Sequence, residues 1–173
     1  MEVTYKNNIY SLGKKDRFIE GEAPAIRISM INNETKVIGL MASAVQVMIS
    51  LNDISKYSSK IDKIINSTKR KVYAYIVTCS QREQIEDAVE KFAIDKSFIS
   101  NEFKDFSLKF GVNIDDTMIA NSIFIIDKEG LIKYKEIPSD LDDDFNIEQF
   151  DLSLNEVLNF KAKGHSHENW MGV

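Results

Sequence analysis

The chain has 173 residues, 43% of them hydrophobic, with 22 Lys and Arg against 27 Asp and Glu for a formal net charge of −5. That length supports one domain with a proper core and is too short for two comfortable ones. The acidic balance excludes a chain-wide electrostatic footprint for nucleic acid or an anionic membrane, and no apolar stretch is long enough to span a bilayer. The opening Met1 to Asn8 lacks the basic and apolar regions of a secretory leader, so a cytoplasmic protein is expected. A single cysteine, Cys79, rules out an intramolecular disulfide and any multi-cysteine metal site.

In chain order, Val3 to Tyr5 and Ile9 to Leu12 flank Lys-Asn-Asn, which suits a tight hairpin because Asn tolerates positive φ. Gly21-Glu22-Ala23-Pro24 leads into the alternating run Ala25 to Met30, and Asn32-Asn33-Glu34 separates it from Lys36 to Leu40, predicting two further short strands. Val45 to Ile49 is continuously apolar, as in a central strand buried on both faces. Asp53 is placed to cap a helix running to about Asn66, with Ile54, Tyr57, Ile61, Ile64 and Ile65 near helical spacing.

The strand–helix pattern repeats at Val72 to Thr78 and Gln81 to Phe92, where Ser80 is the expected cap and Ile85, Ala88, Val89 and Phe92 form one face. Ser97 to Ser100 reads as a brief strand and Glu102 to Phe110 as a short helix ended by Gly111. Ser122 to Ile126 and Leu131 to Ile137 form a hairpin bending at Gly130. An acidic loop at Asp140, Asp142, Asp143 and Asp144 then precedes a closing helix, Ile147 to Phe160. The order predicts a single α/β sandwich over residues 1–160 with a mixed central sheet flanked by helices, followed by a mobile tail over 161–173. It is compatible with a thioredoxin-like arrangement.

Several phrases, taken together in order and spacing, carry a family resemblance. They are Gly21-Glu22-Ala23-Pro24, the buried strand to Ile49-Ser50, Tyr75-Ile76-Val77-Thr78, Asn121 through Gly130, and Tyr134-Lys135-Glu136-Ile137. Over roughly residues 3–160 the chain resembles the peroxiredoxin superfamily, and within it the bacterial thiol peroxidases of the atypical two-cysteine type. The resemblance implies a thioredoxin-like (peroxiredoxin) sandwich with an N-terminal β-hairpin, a homodimer, and hydroperoxide reduction with thioredoxin as donor. It also implies an active site ordered Pro-x-x-x-Thr-x-x-Cys, with a distant Arg polarising the thiolate. At those positions this chain has Ile49, Asp53, Lys56 and Asn121, and a one-residue slip would bring Ser55 to the cysteine position. The resolving cysteine implied on the helix of residues 81–92 is missing too. Serine cannot form a sulfenate, so no peroxidase constellation is coded in either register. The expectation is a degenerate redoxin with a binding or regulatory role, no cofactor, and a thioredoxin-like protein or related peroxidase as partner.

Each remaining candidate has two readings. Cys79 stands before a helix start, where the N-terminal dipole lowers a thiol pKa, and is the redox thiol of a one-cysteine peroxidase or sensor; alternatively it is a small residue buried at a strand end. Asp53 and Lys56, with Ser50, Asn52, Ser55 and Asn121, form a pocket for a small charged ligand, or else Asp53 is a cap and Lys56 a solvated side chain. His165 and His167, with Glu168, offer ligands for Zn, Ni or Cu, or are histidines in a tail that Trp170 anchors. The acidic loop lacks the spacing of a calcium-binding loop and reads as solvated. Arg27, Arg70 and Arg82 are scattered, without a phosphate-cradling glycine loop.

Overall fold

Seven consecutive buried residues make β5 (Val45–Leu51) the axis of the molecule. The computed structural model describes residues 1–171 except Lys14 and Lys69, and side chains as far as Phe160. β5 lies parallel to β6 (Val72–Thr78) and antiparallel to β8 (Ser122–Ile126). With β7 (Ile99–Ser100) and β9 (Ile132–Glu136) at the edges, the mixed sheet has the order β7-β6-β5-β8-β9. β5 and β6 follow each other in parallel because a helix, α1 (Ser59–Thr68), carries the chain back between them.

The period of two sends alternate residues of β5 to opposite layers. Val45, Val47, Ile49 and Leu51 join a core with Ile61 and Ile64 of α1, Ile85 and Ala88 of α2 (Arg82–Phe92), and Phe150 and Leu154 of α4 (Ile147–Met171). Met48 joins the other core, with Phe106 and Phe110 of α3 (Lys104–Phe110), Phe124 of β8, and residues from two separate hairpins. Those hairpins are β1–β2 (Glu2–Tyr5, Asn8–Ser11) and β3–β4 (Ala25–Ser29, Thr35–Gly39). Lys6 and Asn7 both take positive φ at the first hairpin's tip, the geometry that matches strand twist in a two-residue turn. The fold is the expected α/β sandwich with a mixed sheet and an N-terminal hairpin.

Three local expectations are corrected. Asp53 caps a single 3₁₀ turn, Ile54–Lys56, and not a helix to Asn66, because Tyr57 turns extended (φ −67°, ψ 113°). Its ring packs edge-on against Phe92 at 5.0 Å, and the helix restarts where the Ser58 hydroxyl accepts from the Ile61 N–H. Ser80 does not cap α2; Gln81 does, with its own N–H bound by the Gln84 side chain at 3.2 Å. The strand expected over Ser97–Ser100 is half 3₁₀ turn, Lys96–Phe98, because the Asp95 carboxylate accepts from the Ser97 N–H and tightens the chain. The closing helix continues to Met171, and the expectations for the tail from Lys161, including His165 and His167 as metal ligands and Trp170 as an anchor, fall on side chains outside the described residues.

Gly111 ends α3 in the left-handed region (φ 70°), and a Cβ there would overlap the backbone carbonyl of Lys15. Backbone cannot yield as a flexible side chain does, so Gly111→Ala is expected to lower stability by more than about 1 kcal/mol, read as a shift in the urea midpoint. Phe124 stands edge-on to Phe110 at 5.0 Å, itself stacked on Phe106 at 4.5 Å. Phe124→Ala is expected to cost about 3–5 kcal/mol by the same measurement.

Candidate functional site

The carboxyl ends of the parallel strands β5 and β6 emerge side by side, the place where open α/β sheets present a crevice. There the chain must satisfy the polar groups of a strand that leaves a dry core. Ser50, fully buried, donates to the Ala120 carbonyl at 2.8 Å and bonds the Ser122 hydroxyl. The Asn52 N–H donates to Asn121 Oδ1 at 2.8 Å, and Asn121 Nδ2 donates to the Leu141 carbonyl at 3.0 Å. Asn121 is 2% exposed and bridges the end of β5 to the acidic loop. Across the crevice, the Ser80 hydroxyl accepts from the Ile54 N–H at 2.9 Å and from Thr78 Oγ1 at 3.2 Å, tying β6 to the 3₁₀ turn.

Cys79 lies between these ties, half-buried. Its thiol donates to the Asn52 carbonyl at 3.0 Å and approaches Asn52 Oδ1 at 3.3 Å. Burial pushes the thiol pKa up; the backbone N–H groups of Ile119 and Cys79 work against that, and the carboxylates of Asp53 and Asp115 add to it. The expected lowering by the helix N-terminus is therefore not what this position provides: α2 begins beyond Gln81, and desolvation with two nearby carboxylates outweighs the N–H donors.

A cavity of about 280 Å³ opens over the sulfur, lined by Asn52, Asp53, Cys79, Gln84, Thr117 and Met118 among others. Of the residues anticipated, the fold brings Asn52, Asp53 and Cys79 together here and sets Ser50 and Asn121 behind them as buried support. Ile49 points into the helix-side core. Asp53 Oδ1 accepts from the Ser55 N–H at 2.9 Å, and Lys56 Nζ reaches away to the Asp142 carbonyl at 2.7 Å. The acidic loop is held as well as solvated: Asp140 accepts from Thr4 Oγ1 at 2.6 Å, and with the Asp142 N–H and nearby Lys56 this keeps its carboxyl below the usual range. Gln84, Thr117 and Met118 were not anticipated. The Asp115-x-Thr117 turn, in which the carboxylate accepts from the Thr117 N–H at 2.8 Å, is the readable signal for that wall.

Among the described residues no group of three His, Cys, Asp or Glu side chains could hold a metal ion, and no helix is long and apolar enough to cross a membrane.

No protein-family model matches the sequence, and no curated protein matches it. Solved structures do. A peroxiredoxin-like protein from Aquifex aeolicus superposes with a TM-score of 0.80 at 21% identity, covering 90% of this chain and 96% of its own. A thiol peroxidase from Chromobacterium violaceum gives 0.73 at 12% identity over the same shares. The reduced 2-Cys peroxiredoxin of Plasmodium vivax gives 0.65 at 13% identity over 85% of each chain. At these identities the likeness is one of architecture, and by it this chain has the thioredoxin-like fold of the peroxiredoxins.

Proposed function

We infer that this chain is a thiol peroxidase-like redoxin that has given up peroxide reduction and acts by binding, with a regulatory role in redox physiology. The observation that carries the reading is the state of its one thiol. Peroxide reduction needs a thiolate to attack one peroxide oxygen; the O–O bond breaks, the other oxygen leaves as an alkoxide or hydroxide that takes up a proton, and the sulfur is oxidised to a sulfenic acid. Cys79 is half-buried, donates a hydrogen bond from its thiol to the Asn52 carbonyl, and has its pKa pushed up, all of which favour the unreactive thiol. At the positions where the resemblance implies proline, threonine, nucleophile and arginine, Ile49 packs the core, Asp53 caps a turn, Lys56 holds the acidic loop and Asn121 bridges two backbones. Each has a structural task, and none forms a sulfenate.

What remains is a cleft whose Asn52, Asp53, Gln81, Gln84 and Thr117 suit a small polar ligand. The reading extends to a cytoplasmic homodimer, or to association with a thioredoxin-like protein or a related peroxidase. Support comes from exposed apolar side chains where the chain before β3, the loop after β4 and the Gly130 turn meet: Phe18 at 68%, Ile19 at 51% and Met41 at 71%.

With a hydroperoxide, thioredoxin and its reductase, the wild-type protein is expected to show no turnover above Cys79→Ser; Cys79-dependent consumption would establish a one-cysteine peroxidase and overturn the reading. Iodoacetamide is expected to label Cys79 more slowly at pH 7 than it labels free cysteine. The thiol pKa is raised and the thiolate is the nucleophile, so the rate should climb roughly tenfold per pH unit until that raised pKa is passed. Sedimentation is expected to give twice the mass of one chain, and Met41→Lys to shift the population toward the monomer.

A further inference from the structure

A groove of about 400 Å³ opens on the face of the molecule where the outer edge of β3 parts from β7. At one end that edge is closed: the Ile31 N–H donates to the Ile99 carbonyl at 2.8 Å, the Ser100 hydroxyl to the Ser29 carbonyl at 2.6 Å, and Glu102 accepts from the Ser29 N–H at 3.0 Å. At the other end Lys109 Nζ donates to the Ala25 carbonyl at 3.3 Å. Between them lies Arg27. The bond from the Met30 N–H to the Glu34 carbonyl sets the alternation of the β3–β4 ladder, which makes Ile28–Lys36 and Ile26–Ile38 the hydrogen-bonded pairs and Arg27–Val37 the open one. The Arg27 N–H and C=O therefore face away from β4 and into the groove, one donor and one acceptor spaced for a single residue of another strand.

The charges around this backbone pair are unequal. Asp105 is balanced by Lys109 at 3.4 Å, while Glu102 accepts from the Ser29 N–H, which fixes its carboxylate and leaves its charge in place. Arg27 and Lys104 also line the groove, both are exposed, and among the described residues neither makes an ion pair. Phe103 supplies an apolar wall. Free backbone, an apolar wall and a net positive charge of one, from Arg27 and Lys104 against Glu102, together specify an occupant.

We propose that this groove docks an extended acidic peptide segment of a partner protein, one residue of which exchanges both backbone hydrogen bonds with Arg27 while its carboxylates meet Arg27 and Lys104. A residue directly opposite Arg27 projects its side chain on the same face, so an acidic side chain there reaches the guanidinium. This is strand addition at the single open position of an edge otherwise occupied at Ala25 and Ser29, with backbone bonds supplying affinity and flanking charge supplying selection. The groove is separate from the Cys79 cleft, and docking there goes beyond the loss of peroxidase chemistry and does not depend on it.

The test uses the full chain and a fluorescein-labelled peptide, acetyl-Glu-Val-Glu-Val-Glu, followed by fluorescence anisotropy, with amide hydrogen exchange to locate it. Saturable binding is expected, with slowed exchange at the Arg27 amide. Binding should weaken about tenfold or more, roughly 1.4 kcal/mol, for Arg27→Glu, for Lys104→Glu, and for a peptide N-methylated at the central Glu. The Lys-Val-Lys-Val-Lys peptide should bind no better than the N-methylated one. Both substituted residues are exposed, so unchanged melting of the variants separates lost docking from lost folding. Absence of saturable binding, equal affinity for the basic peptide, indifference to N-methylation, or protection at Val37 on the opposite edge would each overturn the proposal, and the peroxide assay would be unaffected by any of these outcomes.

Discussion

Burial of β5 on both faces is the constraint from which the rest of the structure follows. All seven of its residues are buried, and the two cores it divides contain most of the large apolar side chains among the described residues. A strand in that position can end only where its last polar groups find partners. Here they find them in one neighbourhood. Ser50 is held by Ala120 and Ser122, the Asn52 N–H by Asn121, and Asn121 in turn holds the Leu141 carbonyl. The polar groups that end β5 are thereby bonded to the fold behind the cleft.

Cys79 experiences the same economy of partners. Two backbone N–H groups favour its thiolate, but burial comes first among the influences on it, and Asp53 and Asp115 oppose the same charge. A thiol that donates to Asn52 loses that bond on ionising, so the hydrogen bond and the desolvation act in one direction. A cysteine beside a helix start thereby has its thiol pKa pushed up, and proximity to a helix terminus is a poor guide where burial and nearby carboxylates outweigh the N–H donors.

The second core has a different consequence. It is covered by two hairpins that do not join the central sheet, and each hairpin brings free strand edges with it. The β3 edge is blunted at both ends by side chains from the 100–109 segment, which leaves Arg27 as the one open position between them. The β4 edge is met by Gln46, a buried side chain whose amide bonds both the N–H and the carbonyl of Gly39 as a neighbouring strand would. Side-chain amides and carboxylates thus manage edges that a larger sheet would have paired.

Much of the architecture is legible in the sequence because it depends on local patterns. The apolar run of β5, the Asn-rich turn of the first hairpin, the Asp127 to Gly130 bend and Gly111 after α3 each specify their conformation through neighbours a few residues away. That the chain holds a single cysteine, Cys79, is likewise a fact of sequence alone, requiring no coordinates. Where local signals competed, tertiary contacts decided. Tyr57 broke the helix expected from Asp53 by packing on Phe92, and Ser80 left its expected capping role to bind the Ile54 N–H. The sequence by itself thus determined the sandwich and the limit of one thiol. Only the tertiary structure decided that Asn121 is a bridge, that Cys79 is a held thiol, and that Arg27 faces an open edge, because each of these depends on residues dozens of positions away meeting at a distance no periodicity encodes.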